Sequence, residues 1–369
     1  MTDISVNQRE LRAIIGETIY RQGPISFCEF MERCLYTPHF GYYCQDREPV
    51  GRSGDFYTSV EASSLFGFAI ARQLQEMWNI LGQNEFTVLE YGGGSGLLCR
   101  DILECLAMDN RFFERLTYFI VDKRPPQKDL ICAFPPGKVV YLENTSALGV
   151  FEGCVLSNEL IDNFSFHRVK VQNGLKEIFV DFDGTFHEEL RSASQELLDY
   201  FSFLEVSLPD GFSTEVNLEP KFWLREVNEH LNRGFVMTFD YGGSSDELYN
   251  SRKNSGTMTC FYNHTVNFRP YDHIGEQDIM AQVNFSAIEK WGELLGLIST
   301  GYTNQQYFLR ALGLADTIRM LEATKIDHQK AHFFLQKFLM EIGNRVKVLV
   351  QQKDVALTRL SGMQFPLPL

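Results

Sequence analysis

Residues Phe86 to Gly96 read FTVLEYGGGSG. An apolar run leads through Glu90 and Tyr91 into a bend of four glycines in five positions. Glycine accepts positive φ and lets a ligand approach the main chain where a side chain would stand in the way. Gly92, Gly94 and Gly96 make a G-x-G-x-G pattern between an expected strand and an expected helix. That is the first crossover of a doubly wound sheet, where nucleotides bind. The pattern is not G-x-G-x-x-G, because position 97 is Leu, and no G-K-[ST] follows. A pyrophosphate on the helix end is thereby disfavoured, and a nicotinamide-dependent oxidoreductase is kept as an alternative. Glu90, just before the bend, can attract an ammonium group. Asp122, at the end of the next expected strand, can accept hydrogen bonds from two ribose hydroxyls. A phosphate-free nucleoside with an amino-acid end, S-adenosylmethionine, suits that pair of acids. The competing reading is a glycine bend that serves only the fold.

A second constellation is SNELIDNF, residues 157–164. At the carboxyl end of a strand, Asn158, Glu159 and Asp162 would stand beside the reacting group of a cofactor. Carboxylates there can orient a cationic amine or guanidine and receive its proton. Methyl transfer also requires in-line approach, so positioning supplies much of the rate. Alternatively, Asn158 or Asp162 caps the following helix. His328 and His332 have the i, i+4 spacing of a metal pair, but position 329 is Gln and no third ligand is evident, so no metal is expected.

These residues must be held by regular elements. FTVLEY, LTYFIVD, KVVYLE, GCVLSNE and GFVMTFDYGG read as strands, with LLCRDILECLAM and KFWLREVNEHL as helices among them. Strand and helix in alternation argue for parallel βαβ units in an open, doubly wound α/β sheet. Before them, RELRAIIGETIYRQG, ISFCEFMERCLY and SLFGFAIARQLQEMWNILG carry helical spacing. HRVKVQNGLKEIFVDF alternates and turns at Asn173–Gly174, predicting a hairpin in a small β excursion. The apolar stripe of HFFLQKFLMEIGNRVKVLVQQ predicts a packed C-terminal helix.

Composition sets the outer bounds. The chain has 369 residues, 44% of them hydrophobic, enough for one large domain or two ordinary ones. A net charge of −14 argues against nucleic acid or an anionic membrane as the main partner. The eight cysteines include no C-x-x-C pair. No apolar run approaches the ~20 residues that span a bilayer, and the N-terminus lacks the features of a signal or transit peptide. The expectation is a reduced, cytoplasmic protein.

The ordered motifs resemble those of the MidA-like S-adenosylmethionine-dependent methyltransferases, the family containing the mitochondrial complex I assembly protein-arginine methyltransferase. PISFCEFMERCLYTPHFGYY, GRSGDFYTSVEASSLFG, LEYGGGSG, SNELIDNFSFHRV, FDYGG and the segment 256–288 carry the resemblance over nearly the whole chain. Phe166, Met280, Tyr91 and Gly93 depart from the family pattern without removing a carboxylate or a loop glycine. The resemblance implies a class I Rossmann-like methyltransferase sheet. It divides the chain into a helical region 1–82 folding over the core, the methyltransferase core 83–168 with 226–369, and a cap insertion 169–225. It implies methyl transfer to arginine of a protein substrate, a respiratory complex subunit being the known type. Thr58, Glu61 and Asn158 join Glu90, Gly92, Gly94, Gly96 and Asp122 as expected cofactor residues, and His264 joins Glu159 and Asp162 as catalytic. Asp55, Asp240 and Tyr241 are further pocket candidates. A cofactor-binding assembly factor without turnover and a small-molecule methyltransferase are the alternatives, and the oligomeric state is left open.

Overall fold

The computed structural model describes residues 5–45, 64–314 and 342–369. The chain divides into two compact units. One comprises Thr58–Ile161, Lys221–Tyr241 and Ile288–Leu369; the other comprises Met1–Tyr57, Asp162–Pro220 and Gly242–Ala287. Residues up to 82, expected to form one N-terminal region, are thus shared between the two, with the helix Leu65–Ile80 in the first.

The first unit is built on seven successive sheet strands among the described residues: β1 Phe86–Tyr91, β2 Leu116–Val121, β3 Val139–Leu142, β4 Phe151–Asn158, β5 Leu231–Gly243, β6 Ile298–Asn304 and β7 Val346–Lys353. Their spatial order is β6-β7-β5-β4-β1-β2-β3. The pairs β1/β2, β1/β4, β2/β3 and β4/β5 are parallel, while β7 runs antiparallel to both β5 and β6. The expected α/β class holds, and the five strands read from sequence all form. Those five pair in parallel as expected, and at one edge β7, not read as a strand, is added against the direction of its neighbours.

That strand also corrects the expected C-terminal helix. Val346, Val348, Leu349 and Val350 are fully buried in β7. A continuous apolar run buried on both faces has no reliable period, so a stripe counted at helical spacing ran on into a strand. The β-branched valines of VKVLV were the better guide. The rest of that expected helix, up to residue 341, lies outside the described residues.

Val88, Ile102, Tyr118, Leu156, Met237, Phe239 and Val348 belong to one buried core around this sheet. Each large apolar side chain so buried is worth about 1.5–3 kcal/mol. Parallel strands buried on both faces read as near-continuous apolar runs, which is why they were legible.

The second unit is antiparallel and helical. Helices Val6–Gln22 and Phe27–Tyr36 begin at Ser5 and Ser26, whose hydroxyls accept from the backbone N–H groups of Gln8 and Glu29. Such caps contribute about 1 kcal/mol each. The strands His167–Val171 and Leu175–Phe182 form the expected hairpin, with positive φ at Asn173 (53°) and Gly174 (99°). Ser213–Val216 and Phe186–Ser192 extend this sheet, and Thr259–Tyr262, Thr265–Asn267 and Asp278–Met280 form another. Leu11, Ile15, Phe27, Phe30, Phe166 and Ile279 share the core of this unit.

Candidate functional site

The glycine bend leaves β1 in the conformation its composition demands. Gly92, Gly94 and Gly96 have φ of 71°, 51° and 85°. The Gly92 N–H donates to the Val121 carbonyl at 2.8 Å, tying the bend to the end of β2. A Cβ on Gly92 would lie 2.8 Å from Leu160 Cδ1. Gly93, read from sequence only as a departure from the resembled pattern, is equally constrained: its Cβ would stand 2.6 Å from Ile120 Cγ2 and 3.1 Å from Glu90 Oε2. An added Cβ on Gly94 meets nothing within 4 Å, so that side of the bend is open.

Glu90 lies beneath the bend, 2% exposed, and accepts a hydrogen bond from the Tyr118 hydroxyl at 3.0 Å. Burial pushes its carboxyl up to about 7; the Tyr118 bond opposes the shift and the Asp122 charge adds to it. Tyr118 escaped sequence reasoning because only the parallel register, in which Glu90 pairs with Ile120, brings it onto the Glu90 face. Asp122 Oδ2 accepts from the Gly94 N–H at 2.9 Å and Oδ1 from the Arg124 N–H at 3.0 Å. It braces the open side of the bend, and each oxygen keeps a further lone pair for a hydroxyl.

On the next strand, β4, Asn158 Oδ1 is buried and accepts no hydrogen bond among the described residues; the same holds for Ser157 Oγ and for Thr238 Oγ1 on β5. Glu159 follows with φ of 50°, its N–H donating to the Phe239 carbonyl at 2.9 Å. A left-handed non-glycine residue costs on the order of 1 kcal/mol, and such residues concentrate at functional sites. The turn is held by fully buried Asp240: its Oδ2 accepts from the N–H groups of Leu160 (3.2 Å) and Ile161 (2.8 Å), and its Oδ1 from that of Tyr241 (2.8 Å). These backbone donors after Glu159 are therefore met by an acid on β5, which assigns Asp240 a positioning role. Tyr91, a departure from the family pattern, donates to Glu226 Oε1 at 3.0 Å, which also accepts from the Thr145 hydroxyl at 2.7 Å.

The bend, Glu90, Asp122, Asn158, Glu159 and Asp240 all belong to the sheet unit. Asp162 opens the second segment of the other unit, and His264 belongs to that unit as well. Asp162 is 3% exposed, and its carbonyl accepts from the Ala281 N–H at 3.2 Å. His264 is exposed, with φ of 59°, at the turn joining Thr259–Tyr262 to Thr265–Asn267. Asp55, Thr58, Glu61, His328 and His332 lie outside the described residues. Among the described residues no group of His, Cys, Asp and Glu could hold a metal ion, and no helix is long and apolar enough to cross a membrane.

A family described as "Putative S-adenosyl-L-methionine-dependent methyltransferase" matches residues 69–303. A crystal structure from Burkholderia thailandensis with S-adenosyl-homocysteine bound is 30% identical, with a TM-score of 0.88 over 98% of this chain and 96% of that one. The protein arginine methyltransferase NDUFAF7 homolog of Drosophila melanogaster is 27% identical over 82% of this chain and 74% of its own. Its counterpart in Bos taurus is 25% identical over 81% and 72%. The site fits the cofactor these matches imply. It offers a bend open at Gly94, an acid that can face an ammonium, a second acid with spare acceptors, and a buried Asn158 oxygen awaiting a donor. The chain binds S-adenosylmethionine and belongs to this family of S-adenosylmethionine-dependent methyltransferases.

Proposed function

We propose that this methyltransferase acts on an arginine side chain of a protein substrate. The observation that carries the reading is Glu159, held at positive φ at the end of β4 by its own N–H donating to the Phe239 carbonyl and by the Leu160 and Ile161 N–H groups donating to Asp240. A carboxylate in that place can pair with a guanidinium, fix its plane and receive the proton released on methylation. Asp162, three residues on, is the second acid of the motif. The names of the Drosophila and Bos taurus relatives support arginine as the acceptor.

The cofactor supplies an electrophilic methyl on a sulfonium. Glu90 would attract the ammonium at its amino-acid end, the glycine bend would admit that end to the main chain, and Asp122 would accept from the ribose. Asp240 keeps the backbone carrying Glu159 from relaxing.

The test is incubation with methyl-labelled S-adenosylmethionine and a lysate of cells lacking the chain, followed by mass spectrometry of the labelled side chain. Label on protein arginine is expected. Label on lysine or on a free metabolite would overturn the arginine reading. Tight S-adenosylhomocysteine binding with no label transferred would favour an assembly factor.

A further inference from the structure

We infer that Asp278 is a positioning residue for Asp162, acting through Asn163; the inference rests on the arginine methyl-transfer reading above. Asp278 is 1% exposed on the strand Asp278–Met280. Its Oδ1 accepts from Asn163 Nδ2 (2.9 Å), from the Tyr43 hydroxyl (3.1 Å) and from the Ile279 N–H (2.9 Å), while its Oδ2 takes Asn163 Nδ2 at 3.0 Å.

The residues next to Asp162 are gripped from several elements of the same unit. Tyr36, the last residue of the helix Phe27–Tyr36, donates to the Asn163 carbonyl at 3.0 Å. Ala281, just past the Asp278 strand, donates to the Asp162 carbonyl at 3.2 Å. Ser165 donates to Glu32 Oε2 at 2.7 Å. Burial first, then the Asp278 charge, with Asp162 among the lesser causes, holds the Tyr36 and Tyr43 phenols well above their ordinary range, so both stay donors. Tyr36 and Tyr43 stack at 5.7 Å, which stiffens the grip.

A short turn of three residues, Ile161–Asn163, has little rigidity of its own. Fixing both the carbonyl and the amide of Asn163 removes the rotations by which Asp162 could leave its place. Effective catalysis by an oriented group needs that restriction. Asp278 is therefore assigned to orientation, without contact with the substrate.

The test is a double-mutant cycle on the full chain. It reads initial rates of methyl incorporation from S-adenosylmethionine into the arginines of the protein fraction of a lysate from cells lacking the chain. Asp278→Asn is expected to lower kcat about 10- to 100-fold while the KM for S-adenosylmethionine stays within about twofold. Asp162→Asn alone should lower kcat at least as much. The double variant should be no slower than Asp162→Asn, because a positioning residue has nothing left to position. Should Asp278→Asn fail to fold, Tyr36→Phe removes only the donor to the Asn163 carbonyl, with about three- to tenfold lower kcat expected and the same non-additivity. If the two losses multiply, or if Asp278→Asn changes stability and leaves kcat untouched, the positioning role is overturned while the arginine reading stands. If Asp162→Asn keeps full activity, the part given to Asp162 in that reading fails, and this inference falls with it.

Discussion

At the carboxyl edge of the sheet, Ser157 Oγ, Asn158 Oδ1 and Thr238 Oγ1 are buried and take no partner among the described residues. In the other unit, the buried Asp278 carboxylate receives three donors. An unmade buried hydrogen bond costs about 1–3 kcal/mol, a made one returns about 1. The sheet edge therefore holds hydrogen-bonding capacity in reserve, at a cost in stability that a bound ligand can offset. Around Asp278 the second unit uses its polar groups to hold its own chain in place. The contrast separates a surface shaped for a ligand from a frame shaped to stay still.

The largest effect expected is at the bend. Gly92→Val forces a branched side chain onto a residue with φ of 71° and into Leu160. Affinity for S-adenosylhomocysteine, measured by calorimetry, should fall at least about 100-fold. Near-normal binding would show that the main chain at Gly92 is not where the ligand rests.

Next comes pH. Glu90 has its carboxyl pushed from 4.5 up to about 7 in the folded protein. The folded state therefore holds a proton that the unfolded chain has released between those two values. Stability contributed by this group is fully present below 4.5 and declines as pH rises toward 7. A ligand ammonium favours the ionised carboxylate, so affinity should move the other way. Binding of S-adenosylhomocysteine should tighten by up to roughly tenfold per pH unit on approach to the Glu90 value and level off above it. Glu90→Gln should flatten that profile; an unchanged slope would mean that Glu90 does not face the ammonium.

The smallest effects sharpen the comparison most directly. Ser165→Ala removes a made bond to Glu32 and should destabilise by about 1 kcal/mol in denaturant titration. Ser157→Ala removes a hydroxyl with no partner among the described residues, and should be neutral or stabilising by up to about 1 kcal/mol. Equal losses from the two would erase the distinction between reserve and frame.

Several site features were legible because they depend on neighbours in the chain. Alternate glycines after an apolar strand required positive φ, and the structure has it at all three. Asn173–Gly174 turned where its residue types require. Other features were hidden because they depend on partners distant in sequence. Tyr118 meets Glu90 through strand register, and Asp240 meets the Glu159 turn from 79 residues away. Asp278 meets Asn163 across 115 residues.

By itself, the sequence determined the alternation of strand and helix, the glycine bend and the acids set at strand ends, since local sterics and hydrophobic periodicity act over a few residues. Tertiary structure alone decided the reversed strand β7, the burial that pushes the Glu90 carboxyl up to about 7, and the unequal fates of the buried polar atoms. The reason is physical: a proton's affinity and a hydrogen bond's worth depend on what surrounds the group, and those surroundings exist only once distant segments pack together.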